Sequence, residues 1–218
     1  DIYMVEAKAG GIEKQITHYP GTDLDPYWET RPAWSPDGSK IAYVRSEGGQ
    51  WTYYAPWQLA VVDLATGEES QPALPDHFTI KPTWLPDSRH LVALVESPQA
   101  MTAVKVDVVS GKTESLTEGG RFDYGLAINA SGDVVLNSST PMKPFELQRL
   151  TGKNRMTALT DHNDWLKSRT LAPVETLRFK SADATDIQGL MMKPIGYVEG
   201  RRYPTILRLH GGPVYQFS

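Results

Sequence analysis

Cysteine is absent from the sequence, and this excludes disulfides and thiolate metal sites. Long apolar runs are absent as well, since none approaches the roughly 18 residues that a membrane-spanning helix needs. The first five residues lack the basic start and the apolar stretch of a signal peptide. The sequence therefore predicts no membrane span, and it leaves open whether the protein is cytoplasmic, periplasmic or secreted.

An excess of charge of one sign is also lacking. The formal net charge is −4, from 22 Lys and Arg against 26 Asp and Glu, and no block of five or six like charges occurs. This balance argues against nucleic acid as a partner. With 40% hydrophobic and 22% charged residues, the composition is that of a globular protein with a packed core.

A repeat of about 40 to 50 residues occupies the first 160 positions. The segment 31–44, which contains Trp-Ser-Pro-Asp-Gly, recurs at 81–94, so that Trp34 and Trp84 correspond. A weaker copy at 125–136 has Ile128 in their place. Each copy is followed by a strand that ends in a turn glycine, namely Gly67, Gly111 or Gly152. Each unit therefore predicts four short strands joined by tight turns.

The predicted strands of the three units can be given by residue range. They are 31–34, 40–46, 58–63 and 68–71 for the first unit, 81–84, 90–95, 103–108 and 113–116 for the second, and 124–128, 134–138, 145–150 and 156–158 for the third. The segment 2–11 has the shape of a third strand and its turn, so the chain is expected to begin inside an earlier unit. We expect the sequence to be a fragment truncated at both ends.

A four-stranded sheet of this size cannot bury both faces alone, so such units stack around a centre as blades of a β-propeller. The fold class expected is mainly β, with about three four-stranded blades plus a remnant over 1–160. Trp34 and Trp84 are expected to pack between blades rather than to form a ligand platform. An incomplete propeller leaves a blade face and edge uncovered, which predicts a homo-oligomer formed through that edge.

The repeat stops after Thr160, and a different pattern follows. We expect a linker at 161–173, then a hairpin of strands 174–180 and 187–193, and then a short apolar strand at 204–209. This last strand runs into His210-Gly211-Gly212-Pro213. In lipases and esterases a His-Gly-Gly turn after a buried strand supplies one backbone N–H of the oxyanion hole, because glycine lets the backbone approach a substrate oxygen.

With these features the chain resembles the prolyl oligopeptidase family of serine peptidases, most of all its acylaminoacyl-peptidase and dipeptidyl-aminopeptidase branch. The resemblance rests on the Trp-Ser-Pro-Asp-Gly repeats, on the succession from Glu175 through 187–194, and on Tyr203-Pro204 leading to the His-Gly-Gly-Pro turn. It implies a TolB-like propeller that gates access to an α/β-hydrolase domain, which would begin at 174–218. That domain would cleave short or N-terminally blocked peptides by acyl-enzyme chemistry.

The resemblance also assigns roles to the turn. Gly212 would donate its backbone N–H to the oxyanion, while Gly211 and His210 would shape the turn. One departure from the family pattern lies in the hairpin, where Asp183-Ala184-Thr185-Asp186 replaces a shorter Asp-Gly turn.

The catalytic nucleophile is missing from the sequence. No Gly-x-Ser-x-Gly occurs, since Gly196 and Gly200 enclose Val198. In α/β-hydrolases the serine, the acid and the histidine all follow the oxyanion turn, so all three are expected beyond Ser218. The 218-residue chain is therefore expected to be inactive, and its intact parent to be the serine peptidase that binds the peptide substrate. The alternative is a non-catalytic TolB-like propeller module that binds protein partners, although such a module has no use for a strand that ends in His-Gly-Gly-Pro.

No cofactor or metal is predicted. The five histidines lie too far apart in sequence for two of them to bind one metal at helical spacing; they are His18, His77, His90, His162 and His210. Four aspartates form Asp-x-x-Asp pairs that cap turns more often than they bind calcium; they are Asp161, Asp164, Asp183 and Asp186. The aromatic insertion at 53–57 either faces the central cavity or covers a blade edge, and the sequence leaves both open.

Overall fold

The fold is built almost wholly from short antiparallel strands. A computed structural model describes residues 1–23, 25, 30–46, 54–74 and 77–211. Within these ranges the one helix is a 3₁₀ helix at Asp164–Ser168. None of the described helices is long and apolar enough to cross a membrane.

The strands form three successive four-stranded meanders, with a two-stranded hairpin before them and another after them. The leading hairpin consists of β1 (Tyr3–Val5) and β2 (Glu13–Gln15), and the final hairpin of β15 (Val174–Lys180) and β16 (Asp186–Met192). The first unit consists of β3 (Ala33–Trp34), β4 (Lys40–Arg45), β5 (Gln58–Asp63) and β6 (Glu69–Ser70), and the second of β7 (Thr79–Trp84), β8 (His90–Ser97), β9 (Ala100–Asp107) and β10 (Thr113–Ser115). The third unit consists of β11 (Phe122–Ile128), β12 (Val134–Thr140), β13 (Lys143–Gly152) and β14 (Arg155–Ala158).

All twelve strands predicted for the three units are present, and most bounds differ from the prediction by one or two residues. The differences are largest at the hairpins between the second and third strands. There the strands continue to a two-residue turn, with Ser97 opposite Ala100 and Thr140 opposite Lys143. Pairing that extends to the turn satisfies further backbone donors and acceptors, and this favours the longer strands.

The second and third units are not separate sheets, which differs from the expectation of one sheet for each unit. A single parallel pair, Phe122 opposite Met101, joins β11 to β9. The eight strands are therefore one hydrogen-bonded sheet, whereas the four strands of the first unit are a sheet of their own. The parallel pair forms where the chain leaves β10 and enters the next unit, so it marks the place where consecutive units meet edge to edge.

The core consists of apolar layers between successive units. Between the leading hairpin and the first unit lie Ile2, Ile41, Tyr43, Ala60 and Val62. Between the first and second units lie Ala42, Leu59, Val61, Trp84, Leu91, Ala93 and Val106. Between the second and third lie Ile80, Val92, Leu94, Met101, Ala103, Val134 and Leu136. Neighbouring residues of one strand thus face different units, which explains why these strands are apolar on both faces.

The two tryptophans occupy equivalent positions but differ in burial. Trp34 pairs with Ile41 as Trp84 pairs with Leu91. Trp84 is buried between units, and its indole N–H donates to the carbonyl of Ala33 at 2.8 Å, as the packing prediction required. Trp34 is 51% exposed, so the prediction was wrong for this residue in the described structure. Within the described ranges the leading hairpin has two strands, and no further strand of it lies beside Trp34.

Three threonines tie the units together, and we call them the threonine ties. Thr117 is buried; its hydroxyl oxygen accepts from the N–H of Ala103 at 2.8 Å, and its O–H donates to Asp123 at 2.6 Å. Thr17 does the same with the N–H of Ile2 and the carboxylate of Asp23. Each of these two ties joins one unit, or the leading hairpin, to the segment that enters the next unit.

The third tie differs because no further unit follows it. The hydroxyl of Thr160 accepts from the N–H of Leu147 at 2.9 Å and donates to the carboxylate of Glu146, which lies on the same strand. The other oxygen of Glu146 accepts from the backbone N–H and the side-chain amide of Asn163, at 3.0 and 2.8 Å. The carboxylate that elsewhere comes from the next unit is thus supplied locally, and it fixes the start of the segment that leaves the third unit.

Candidate functional site

The segment that carries the predicted oxyanion turn is extended and exposed. Residues 201–211 form no strand, and Ile206, Leu207 and Leu209 are 94, 81 and 80% exposed. The strand predicted at 204–209 is therefore absent from the described structure. A strand needs a neighbour to satisfy its backbone groups, and no described strand lies beside it.

Two of the three predicted turn residues are described. The Nδ1–H of His210 donates to the carbonyl of Gly211 at 2.8 Å. A Cβ on Gly211 would meet nothing within 4 Å. Gly212, the predicted oxyanion donor, and Pro213 lie outside the described residues. The assignment of Gly212 as the oxyanion donor therefore stays a prediction.

The hairpin that precedes this segment forms at the predicted place. Its register runs from Val174 opposite Met192 to Lys180 opposite Asp186. The turn is closed by Asp183, whose carboxylate accepts from the hydroxyl of Ser181 and from the N–H of Thr185. The hydrogen bond from Ser181, followed by those from Thr185, lowers the pKa of Asp183 to about 2. The longer turn is thus compatible with the hairpin, and Asp183 acts as a turn cap.

An ion pair and two tilted aromatic rings in contact hold the loop between the hairpin and the exposed segment. Lys193 Nζ lies 2.8 Å from a carboxylate oxygen of Glu175 and 5.1 Å from the ring centre of Tyr197. The rings of Tyr197 and Tyr203 are 5.2 Å apart, and the hydroxyl of Tyr203 accepts from the N–H of Val198 at 2.9 Å. The loop is therefore tied to the base of the hairpin.

A second cluster of interest lies at the end of the second and third units where β7 and β11 begin. Lys81 has a left-handed backbone, with φ 52°, and its ammonium group donates to the carbonyl of Tyr124 at 3.1 Å. The same group lies 4.2 Å from the ring centre of Tyr124. The rings of Phe122, Tyr124 and Phe145 are 6.2 to 6.3 Å from one another. We call these four residues the aromatic cluster. It presents a cation beside apolar rings.

The backbone at Lys81 departs from regular strand geometry. The register of β7 against β8 shifts between Ile80 and Thr83, so Lys81 lies in a bulge. A left-handed backbone costs a residue with a side chain about 1 kcal/mol or more, and bulges often redirect a side chain beside a functional site.

On the neighbouring strand β8, burial raises the pKa of the Glu96 carboxyl. The backbone N–H of Phe78 and the charge of His77 act in the opposite direction and lower this pKa.

The aromatic insertion is described from Tyr54 onward, and Tyr53 lies outside the described residues. Trp57 is buried, and its ring centre lies 4.6 Å from that of Phe78. Tyr54 is exposed. Trp57 thus packs under the end of the first two units, while Tyr54 points to solvent.

The predicted alternatives for metal binding find other roles. Among the described residues, no three His, Asp or Glu side chains lie close enough together to hold a metal ion. His90 donates from Nδ1 to Asp87 at 2.6 Å, within the turn between β7 and β8. Asp161 and Asp164 both contact the ammonium group of Lys167. These carboxylates are therefore paired with a lysine.

Sequence reasoning missed the threonine ties and the aromatic cluster. The ties have a signal in the sequence, because an apolar residue followed by threonine comes just after β2, β10 and β14, as Ile16-Thr17, Leu116-Thr117 and Leu159-Thr160, although not after β6. In the first two an aspartate follows six residues later. The aromatic cluster has no such signal, since its members come from three strands that only the fold brings together.

Known proteins similar to this chain include peptidases and propeller domains. No protein-family model matches the chain. It is 28% identical over 192 residues to dipeptidyl-peptidase 5 of Porphyromonas gingivalis, a match that covers 85% of this chain and 27% of the relative. The chain thus spans about a quarter of that relative's length.

Solved structures give the same fold. The acylaminoacyl peptidase of Pyrococcus horikoshii superimposes with a TM-score of 0.68 at 16% identity, over 88% of this chain and 28% of that one. The β-propeller domain of the trilobed protease of Pyrococcus furiosus gives 0.54 at 15% identity, over 71% of this chain and 44% of that one. The described units therefore have a mainly β fold of the propeller kind.

Together these likenesses confirm the resemblance drawn from the sequence. The chain is similar to part of a dipeptidyl-peptidase in sequence, and to part of an acylaminoacyl peptidase and a protease propeller domain in fold.

Proposed function

We propose that this chain is part of a serine peptidase that hydrolyses short or N-terminally blocked peptides through an acyl-enzyme. The three four-stranded units, with the leading hairpin, would be C-terminal blades of a propeller at 1–160 that gates substrate access. Residues 161–173 would be the linker, and 174–218 would begin the α/β-hydrolase domain. The observation that carries the proposal is the order of parts, in which propeller repeats precede a hairpin and a His-Gly-Gly-Pro turn.

The proposed chemistry needs Gly212 for its backbone. In the tetrahedral intermediate of acyl transfer, the former carbonyl oxygen carries a negative charge, and a preorganised N–H stabilises it. The serine that attacks and its partners would lie beyond Ser218, because they follow the oxyanion turn in this class of hydrolase. The 218-residue chain would therefore bind no covalent inhibitor by itself.

The aromatic cluster supports a role in substrate access. Phe145 is 41% exposed, and its ring lies beside Phe122 and Tyr124 with the Lys81 ammonium close by. The segment that leads to the hairpin departs from the third unit next to Phe145, where Glu146 holds Asn163. A peptide that enters between the propeller and the hydrolase domain would therefore meet apolar rings for its side chains.

A fluorophosphonate probe tests the proposal. A longer protein from the same reading frame should be labelled and should hydrolyse aminoacyl p-nitroanilides or acylpeptides, whereas residues 1–218 should do neither, because the nucleophile is absent. The control is the longer protein with the serine of its Gly-x-Ser-x-Gly changed to alanine, which should also stay unlabelled. Labelling of the 218-residue chain, or a reading frame without such a serine, would overturn the proposal.

A further inference from the structure

The turn between β8 and β9 breaks a local rule of turn chemistry. Pro98 and Gln99 are its two central residues, and Gln99 has φ 61°. A turn with proline first and a left-handed second residue favours glycine or asparagine at that second place, because other side chains are strained there. A glutamine at such a position departs from this rule, and departures of this kind are expected where a side chain has a use.

The side chain of Gln99 reaches the final hairpin. The hydroxyl of Thr176 on β15 donates to Oε1 of Gln99 at 2.7 Å. The amide nitrogen of Gln99 lies 3.5 Å from the carbonyl oxygen of Gly189 on β16. One side chain thus contacts both strands of the hairpin across 77 and 90 residues of sequence.

The rest of the hairpin has little support from the repeat units. Neither β15 nor β16 pairs with a strand of the three units, and most of its residues are exposed. The ion pair of Lys180 with Asp186 joins the two strands of the hairpin, and that of Glu175 with Lys193 joins the hairpin to the loop that follows it. Its outermost apolar side chains, Phe179 and Met192, are 55 and 70% exposed. Within the described structure, few contacts other than that of Gln99 therefore hold the hairpin against the repeat units.

We infer that Gln99 is a latch that seats the hairpin on the second unit. The left-handed backbone aims the amide outward, and the amide holds Thr176 and Gly189 together. When the contact opens, the hairpin can turn on the segment 161–173, whose first residues stay fixed because Glu146 holds Asn163. The consequence for catalysis rests on the proposed function: Gln99 would be a positioning residue for the proposed hydrolase domain, which carries the His-Gly-Gly-Pro turn.

The latch can be tested on the 218-residue chain by hydrogen–deuterium exchange with mass spectrometry. The variants Gln99→Gly and Gln99→Asn suit a left-handed backbone, so the turn itself should stay intact, but neither side chain reaches Thr176. Exchange in peptides covering 174–192 should become about two- to tenfold faster, since roughly one hydrogen bond's worth of protection is lost. Thr176→Val, which removes the donor from the other side, should have the same effect.

Controls separate the latch from a general loss of stability. Asn154→Gly changes another left-handed turn residue, between β13 and β14, and should leave exchange at 174–192 unchanged. Exchange within β8 and β9 should stay at the wild-type rate in every Gln99 variant. Wild-type exchange of the hairpin in Gln99→Gly and in Thr176→Val would overturn the inference. Because no activity is measured, an inactive longer protein would count against the proposed function alone.

Discussion

At the scale of single residues, the proposed chemistry depends on a residue without a side chain. His210 and Gly211 are described and exposed, and the imidazole of His210 donates to the carbonyl of Gly211. The N–H proposed to act belongs to Gly212, one residue further. A peptide N–H is available at every non-proline position, so what glycine adds is access: a Cβ would stand where the substrate oxygen must come.

Replacing Gly212 by valine in the longer protein should lower kcat by roughly a hundredfold or more, because one oxyanion donor becomes inaccessible. KM should change much less, since the charge on the oxygen develops only in the transition state. Steady-state kinetics with an aminoacyl p-nitroanilide would measure both constants. Circular dichroism must first show an unchanged fold, and full activity in that folded variant would remove Gly212 from the site.

At the scale of elements, each unit closes its first hairpin with one side chain. Asp37 accepts from the hydroxyl of Ser35 and from the N–H of Ser39. Asp87 accepts from the N–H groups of Arg89 and His90 in the second unit. Asn129 does the same for Ser131 and Asp133 in the third, without a charge. The turn therefore needs a hydrogen-bond acceptor at this position. Its stability is expected to depend on pH only in the two units where that acceptor is a carboxylate.

The turn of the first unit should lose stability in acid. The hydrogen bond from Ser35, and then those from Ser39, lower the pKa of Asp37 to about 2. A depressed pKa stabilises the fold above the unfolded value of about 4, and this contribution disappears as the pH falls towards 2. Asp37→Asn keeps an acceptor without the titration, so the difference between the urea midpoints at pH 7 and pH 2 should shrink.

Circular dichroism during urea unfolding would give these midpoints. Glu114→Gln is the control, because Glu114 is exposed on β10 and no hydrogen bond to its side chain is found within the described residues. This variant should keep the wild-type difference between the two pH values. An Asp37→Asn protein with an unchanged difference would show that the turn carboxylate does not contribute to acid sensitivity.

The elements also show how far the sequence could be interpreted. The strands of the units followed from a repeat whose turns are marked by Asp, Gly and Pro, and the structure has all twelve of them. The exposure of Trp34 could not be predicted from the repeat, because burial at this position depends on a neighbouring strand, and the leading hairpin has only two strands within the described residues. Gln99 was missed for a related reason: its role comes from contacts across 77 and 90 residues, which no local pattern records.

At the scale of the whole molecule, the stacked units leave two different outer faces. The face at the start of the array includes Tyr3 and Val5 on the leading hairpin and Trp34 on the first strand of the first unit, all about half exposed, at 56, 56 and 51%. Apolar side chains exposed together at the end of a stack favour association, because burying them removes apolar surface from water. We therefore expect this face to take part in the self-association predicted from the repeats.

The 218-residue chain should sediment as a species heavier than 24.2 kDa at micromolar concentrations. Trp34→Lys should shift it towards the monomer, because a charge on that face disfavours burial. Trp165→Lys is the matched control, since Trp165 is 60% exposed on the 3₁₀ helix and away from the face. A wild-type chain that is monomeric at all concentrations would contradict this expectation.

The threonine ties limit where a gene for such a repeat protein can be duplicated or shortened during evolution. Thr17 and Asp23 correspond to Thr117 and Asp123, so the same tie recurs after 100 residues, the length of two units. A tie spans the junction between a fourth strand and the next first strand. A duplication with its breakpoint inside that junction would separate the threonine from its aspartate and leave a buried carboxylate short of a donor. Breakpoints within the solvent-facing turns, such as those at Gly38 or Gly132, would copy each tie whole, and tandem growth of these genes should favour them.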